Sequence, residues 1–136
     1  MLLVGHGKEG APNAMAIGWG TIGIIWRRPI FTVLVRPSRY TYKLIEQTND
    51  FTVNIVGTVS GRDHNKFKEK HITAIPSHKI RAPIIKECLL HFECRVIYKN
   101  DLIQSKLEKS IIPTLYPKDD FHRVYFGEIV ACQHEG

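Results

Sequence analysis

Short apolar runs, separated by glycine, proline and charged residues, recur along most of the 136-residue chain. Residues 30–35 are apolar except for Thr32, which predicts a strand buried on both faces. In residues 89–99 apolar and polar side chains alternate, which predicts a strand with two different faces. His91, Glu93 and Arg95 point to one side, and the other side holds Leu90, Phe92, Cys94, Val96 and Tyr98. Further strands are predicted over residues 2–4, 14–25, 50–55 and 122–133, the last with a bulge at Gly127.

Short helices are predicted between these strands. Ser38 is placed to cap a helix with one apolar face. That face is expected to hold Tyr40, Leu44 and Ile45. Residues 71–86 are predicted as a long loop, and residues 100–120 as an excursion around a short helix. About six strands with two or three short helices predict a mainly β fold, a closed or nearly closed antiparallel barrel.

The stretch GHGKEG, residues 5–10, has the spelling G-x-G-x-x-G of a dinucleotide-binding loop. Such a loop opens a helix, and an acidic residue that binds the ribose follows about 20 residues later. Here Pro12 and a glycine-rich strand follow, and no Asp or Glu occurs between Gly10 and Ile45. We therefore interpret residues 7–10 as a β-turn between two strands.

Composition predicts an ordinary soluble globular protein with a single domain over residues 1–136. No apolar run reaches the roughly 20 residues of a membrane span, and no signal peptide is visible. The cysteines, Cys88, Cys94 and Cys132, are odd in number and form no C-x-x-C, which favours free thiols in a reducing cytoplasm. A net charge of +6 favours an anionic partner: nucleic acid, a phosphate-bearing cofactor or an acidic protein.

The densest polar cluster begins the helix predicted after residue 38. It consists of Arg36, Ser38, Arg39, Tyr40 and Thr41. A helix N-terminus has unpaired N–H groups and a partial positive charge, and arginine pairs with phosphate oxygens in a bidentate manner. The cluster therefore indicates an anion site, and the alternative is a solvated basic turn with an ordinary cap.

A second cluster has the same features at a second predicted helix start. It consists of Ser60, Gly61, Arg62 and Lys66, and the alternative is a capped surface helix. Two such helix starts in one small domain favour a shared anionic ligand. The seven histidines show no H-x-x-x-H and no pairing with cysteine, so no structural metal is predicted.

With these residues in view, the sequence resembles the flavin reductase-like family, which includes flavoredoxins and binds FMN in a split β-barrel. The matching segments are PNAMAIGW (12–19), RPSRYTYKLIE (36–46), TVSGRDHNKF (58–67), APIIKECLLHFECRV (82–96) and HRVYFGEIVA (122–131). The resemblance implies an antiparallel, Greek-key-like FMN-binding split barrel with a few short helices. It also implies a homodimer with each flavin near the subunit interface.

The resemblance also implies roles for individual residues. One strand would run beside the isoalloxazine ring, largely through backbone groups; its members are Asn13, Ala14, Met15, Ala16, Ile17 and Trp19. Arg36, Ser38, Arg39 and Thr41 would hold the ribityl phosphate, with Pro37 and Tyr40 also in the cofactor-binding segment. Ser60, Gly61, Arg62 and Lys66 would complete the contacts with phosphate and ring. His122 matches a histidine near the flavin, where a nicotinamide would stack, and is the candidate catalytic residue.

The implied activity is that of an NAD(P)H-dependent flavin reductase, in which a hydride passes from NAD(P)H to flavin N5. One alternative is an electron carrier of the flavoredoxin type, reduced by a partner protein. An alternative of another class is a basic small-barrel module that binds nucleic acid. The lysine-rich residues 66–86 favour that module, but they show no stacking platform of interleaved aromatic residues.

Overall fold

The structure is a computed structural model that describes residues 1–57 and 72–134. Within these ranges the chain forms nine strands, two α-helices and one 3-10 helix. The strands are β1 (Leu2–Gly5), β2 (Asn13–Ala16), β3 (Gly20–Ile25), β4 (Arg28–Val35), β5 (Asp50–Ile55), β6 (Ala74–Ile75), β7 (Ile84–Ile85), β8 (Leu90–Asp101) and β9 (Arg123–His134). The helices are α1 (Tyr40–Thr48), α2 (Ile111–Leu115) and the 3-10 helix Gln104–Lys106.

Seven of these strands form one sheet in the order β2-β1-β5-β8-β9-β4-β3, and β6 pairs separately with β7. Every neighbouring pair is antiparallel. The main sheet is the predicted mainly β, antiparallel architecture. Its core contains Leu3, Val33, Phe51, Val53 and Tyr125, none of which is exposed.

The outer strands of the sheet, β2 and β3, are consecutive in the chain and are joined by residues 17–19, which we call the link. Four Cα–Cα steps reach at most about 15 Å. Seven strands laid flat would separate the outer strands by about 29 Å. The sheet therefore curves back on itself, and a space that we call the split lies between β2 and β3. Consistent with this, the Ile17 N–H donates to the Met1 carbonyl at 3.0 Å beside β1.

The glycine-rich start joins two antiparallel strands, as predicted, and residues 8–10 form a bend within this connection. Gly5 pairs with Asn13 in the antiparallel ladder of β1 and β2, and Gly10 has a φ of 82°. The single strand predicted over residues 14–25 is wrong, because the link interrupts it. After β3 the chain reverses through Trp26 and Arg27, which both have positive φ, 54° and 57°, although neither is glycine or asparagine.

The polar side of β8 is not exposed in the first half of the strand. His91 and Glu93 are buried. The Glu93 carboxylate accepts hydrogen bonds from the backbone N–H groups of His78 (2.9 Å) and Lys79 (2.7 Å). Residues 72–86, predicted as loop, also contain β6 and β7 and lie over this face. Burial of the carboxylate is thus compensated by backbone donors.

The bulge predicted at Gly127 lies on the opposite strand. Gly127 pairs with Val96, and the extra residue beside this pair is Ile97 of β8; a second irregularity leaves Val130 of β9 as an extra residue between Ile129 and Ala131. A Cβ on Gly127 would lie 2.5 Å from Cζ of Phe51 and 2.8 Å from Cβ of Cys94. The glycine therefore allows close packing against the core.

No helix in the described ranges is long and apolar enough to cross a membrane.

The cysteines are free thiols, as predicted: Cys88 and Cys94 are buried, and Cys132 is exposed.

Candidate functional site

A cavity of about 210 Å³ opens at the split. Its lining comes from β2 and the link, from the end of β4, from the residue before α1 and from the residue before β9. These residues are Met15, Ala16, Ile17, Gly18, Trp19, Leu34, Arg36, Arg39 and His122. The distant segments meet because β4 pairs with β9, with Leu34 opposite Val124 and Val35 opposite Arg123.

The wall that β2 contributes is the edge of a sheet. In the described part of the chain β2 pairs with β1 alone, so its outer edge has backbone N–H and C=O groups available to a ligand. Gly18 extends this wall, and a Cβ added there would meet no atom of the described residues within 4 Å, apart from its own chain neighbours. The space beside this glycine is therefore space that a flat ligand can use.

The Arg36 guanidinium connects the end of β4 to the segment before β9. Its Nη1 donates to the Asp120 carbonyl at 2.7 Å and its Nη2 to the Leu115 carbonyl at 2.8 Å. A guanidinium has five N–H donors, so these two bonds leave others for an anion. Arg39 lines the same cavity. Two permanent cations thus face the split.

Ser38 does not cap α1, so that prediction is wrong. The N-cap is Arg39, which is extended and makes no side-chain capping bond. The Ser38 hydroxyl instead donates to Oδ2 of Asp120 at 2.5 Å. Asp120 is therefore an acidic neighbour of the predicted phosphate cluster.

His122 lies at the other side of the cavity. Its ring centroid is 4.9 Å from that of Trp19, and its Nδ1 lies 2.6 Å from the Tyr116 hydroxyl. Burial and the nearby Arg36 charge lower the pKa of His122 to about 4, and Arg39 adds to the shift while Asp120 opposes it. The ring is accordingly neutral at physiological pH.

The remaining predicted residues surround the cavity without all lining it. Asn13 donates from Nδ2 to the Thr41 hydroxyl at 2.9 Å, which joins β2 to α1. Thr41 is buried in place of Tyr40, which is 59% exposed, so the predicted apolar face of α1 is wrong at that position. Asn13 and Ala14 line a second cavity of about 150 Å³ on β2. Pro37 lies in the turn before α1.

The second predicted cluster, Ser60, Gly61, Arg62 and Lys66, lies outside the described residues. Conversely, the structure adds residues that sequence reasoning missed. Leu34 lines the cavity, but the sequence indicated only that it belongs to a strand. Tyr116 and Asp120 lie in the irregular segment before β9, where no sequence pattern indicated a site. The one available signal for Tyr116 was an aromatic residue shortly before His122.

A charged cluster on the outer side of α1 fixes the start of β9. The Glu46 carboxylate accepts hydrogen bonds from Arg123 (2.9 Å), Lys99 (3.1 Å) and the Tyr125 hydroxyl (2.8 Å). Burial acts to raise the pKa of Glu46, but the bonds from Tyr125 and Lys99 and the two cations lower it overall. Because Arg123 directly follows His122, this cluster also holds the backbone that carries the histidine.

The fold and the cavity together define a small split barrel with a cationic and aromatic site at its open edge. The chain belongs to the flavin reductase-like family: the family model described as flavin reductase like domain matches residues 1–136. The resemblance drawn from the sequence segments is thereby confirmed.

Individual relatives agree with this family. An uncharacterised protein of Pyrococcus abyssi is 34% identical over 112 residues, which cover 74% of this chain and 62% of that protein. The crystal structure of a flavoredoxin from Methanosarcina acetivorans matches with a TM-score of 0.67 and 30% identity over 98% of this chain and 67% of that one. An NADH:FAD oxidoreductase of Streptomyces globisporus shares the fold, with a TM-score of 0.68, 14% identity and coverage of 98% and 68%. The chain spans 54% to 62% of the length of the curated relatives it matches.

Proposed function

We propose that the chain binds FMN at the split and acts as an NAD(P)H-dependent flavin reductase in the cytoplasm. The observation that carries the proposal is the cavity at the split. It combines the outer edge of β2, which pairs with no strand in the described ranges other than β1, with the aromatic Trp19, the cations Arg36 and Arg39, and the neutral ring of His122. Among the described residues that line it there is no carboxylate, which suits a phosphorylated ligand.

When bound, FMN would accept a hydride from NAD(P)H at N5. The residues of the chain bind the flavin and orient it. Arg36 and Arg39 pair with the phosphate, and the outer edge of β2 offers backbone groups to the polar rim of the ring. Trp19 and His122 provide flat surfaces for ring packing, and the cations favour negative charge in the cavity.

The phosphate contact is tested by comparing FMN with riboflavin, which lacks the phosphate. A hydrogen bond to a charged group contributes about 1.5–3 kcal/mol, so we expect Arg39→Gln to weaken FMN binding roughly 10- to 150-fold and leave riboflavin unchanged. Absorbance titration measures both affinities. The matched control is Arg28→Gln, since Arg28 pairs with Glu128 on the sheet and does not line the cavity. Equal losses for both flavins would show that Arg39 does not bind phosphate.

The electron donor is tested by anaerobic mixing of the FMN-loaded protein with NADH or NADPH. Rapid loss of flavin absorbance, slowed by His122→Ala, is the expected result. If a reduced partner protein bleached the flavin and neither nicotinamide did, the protein would be an electron carrier and not an NAD(P)H-dependent reductase. A colourless protein that takes up no FMN and binds oligonucleotides in a salt-dependent manner would overturn the proposal altogether.

We also infer that the working unit is a homodimer. β3 is an edge strand next to the cavity, and it presents Ile22 (57% exposed), Ile24 (73%) and, in the following turn, Trp26 (54%). So much apolar surface on one edge hairpin is typical of an interface. We infer that a second copy of the chain covers this apolar surface, so that the dimer interface lies beside the split. Light scattering should give about twice 15.6 kDa, and a monomer mass would refute the dimer.

A further inference from the structure

Tyr116 is held tightly behind His122. Its ring stacks on Phe121 with centroids 4.7 Å apart, and the Arg36 guanidinium lies 4.8 Å from its centroid. Only 3% of the residue is exposed. With the ring held in this way, its hydroxyl lies 2.6 Å from Nδ1 of His122.

The direction of this hydrogen bond follows from the surroundings of Tyr116. In the described part of the chain the hydroxyl oxygen accepts a hydrogen bond from the backbone N–H of His122, and Nδ1 of His122 is the acceptor found for the phenol hydrogen. If Nδ1 carried the hydrogen, the phenol proton would be buried without an acceptor, which costs free energy. Burial raises the pKa of Tyr116, so the phenol keeps its proton. Tyr116 therefore donates, and a neutral His122 ring carries its hydrogen on Nε2.

The charged groups around the ring keep it neutral. Arg36 and Arg39 lie on the side of β4 and α1, and Asp120 precedes the ring in the chain. Burial and the two cations outweigh Asp120, which is why the pKa of His122 is lowered to about 4. Since Tyr116 occupies Nδ1, the nitrogen left for a ligand is Nε2.

We propose that Tyr116 is a positioning residue that holds His122 as the Nε2–H tautomer, so that the cavity offers a neutral N–H donor to a carbonyl oxygen of the bound ring system. The tautomer itself follows from the contacts of the chain. Naming the ligand as a flavin or a nicotinamide, both of which bear carbonyl oxygens, rests on the proposed function.

The tautomer is tested by NMR of protein labelled at the histidine nitrogens, near neutral pH and without flavin. The wild type should show His122 protonated on Nε2. Tyr116→Phe, which keeps the ring but removes the donor, should give a mixture of tautomers. Tyr42→Phe, a tyrosine on α1 whose ring faces Arg123, is the matched control and should leave His122 unchanged. An Nδ1–H tautomer in the wild type would overturn the proposal even if the Tyr116 variant failed to fold.

A second measurement connects the tautomer to turnover. If one hydrogen bond to the ligand depends on it, Tyr116→Phe should reduce the rate of flavin reduction by NAD(P)H about five-fold, with the melting temperature nearly unchanged. If His122 kept the same tautomer in Tyr116→Phe, the positioning role of Tyr116 would be refuted, and the reductase proposal would be unaffected. The expected tautomer in a protein that no nicotinamide reduces would support the role of Tyr116 and defeat the reductase proposal.

Discussion

Glycines in this barrel meet two different needs. At Gly20 a Cβ would lie 3.2 Å from both the Phe31 ring and the Thr32 carbonyl, and at Gly127 it would collide with Phe51. Those glycines are required by the packing of the protein itself. Gly18 and Gly23 are different, since among residues 1–57 and 72–134 a Cβ there would meet no atom within 4 Å beyond its chain neighbours. Only Gly18 of these two lines the cavity, so its missing side chain matters to a ligand rather than to the fold.

Gly18→Ala should therefore weaken FMN binding without loss of stability. A methyl group that intrudes on a packed ligand costs about 1–3 kcal/mol, so we expect the Kd to rise by roughly 5- to 150-fold. Stability should stay the same or rise by up to about 1 kcal/mol, because alanine restricts the unfolded chain. Absorbance titration and thermal melting measure the two effects. Gly23→Ala is the control, and equal FMN binding by both variants would show that the ligand lies elsewhere.

The hairpin of β3 and β4 is the element in which sequence and structure differ most. Its turn residues, Trp26 and Arg27, both take the positive φ that a two-residue turn requires, although neither residue type favours it. A sequence rule based on Asn-Gly therefore had no signal here. The ring of Trp26 lies 5.7 Å from Phe126 and 6.0 Å from Tyr98, so aromatic contacts offset the cost of this backbone.

The exposed side of this hairpin carries a prediction about assembly. Ile24→Lys places a charge on the apolar edge of β3, and we expect it to shift the protein from dimer to monomer. The melting temperature of the monomer should change little because Ile24 is 73% exposed. Sedimentation velocity measures the state, with Ile103→Lys as a control at another exposed isoleucine. A dimer that persists in Ile24→Lys but dissociates in Ile103→Lys would place the interface on the other surface.

Local sequence patterns predicted most strands of the barrel. They did not predict which distant segments pack against each strand. The alternation in β8 correctly indicates a strand, and the strand predicted over residues 50–55 is β5. Glu93 is buried because residues 78 and 79, distant in sequence, donate to it, and no local pattern carries that information. Likewise, the sequence grouped Arg36 with Ser38 as one anion cluster, whereas the fold turns Ser38 toward Asp120. The roles of these residues toward a cofactor remain predictions.

Across the molecule, the titration of His122 connects the site to stability. The folded ring has a pKa of about 4, below its ordinary value of 6.5. Between these values the unfolded chain binds a proton at this position and the folded chain does not, so folding loses stability as the pH falls from about 6.5 toward about 4. His122→Gln should remove the part of this decrease in the free energy of unfolding that the titration of His122 causes.

Urea unfolding of the wild type and of His122→Gln at several pH values provides the measurement. The difference in free energy of unfolding between the two proteins should be constant above pH 6.5 and should shift in favour of the variant below it. The comparison cancels the titration of the other histidines, since both proteins carry them. Parallel curves over the whole range would mean that the folded ring titrates normally.

The link between β2 and β3 limits what a fragment of this chain could do. One wall of the cavity comes from residues 15–19, another from the end of β4, and the third from His122 at the start of β9. The first hairpin, β1 with β2, and the second, β3 with β4, are each local, yet neither contains the split, which exists only after β9 has paired with β4. A proteolytic half of the barrel would thus lack part of the cavity lining, and an isolated hairpin is at best marginally stable in water. The proposed binding function therefore depends on the closed topology of the chain, and a contiguous peptide would not carry it.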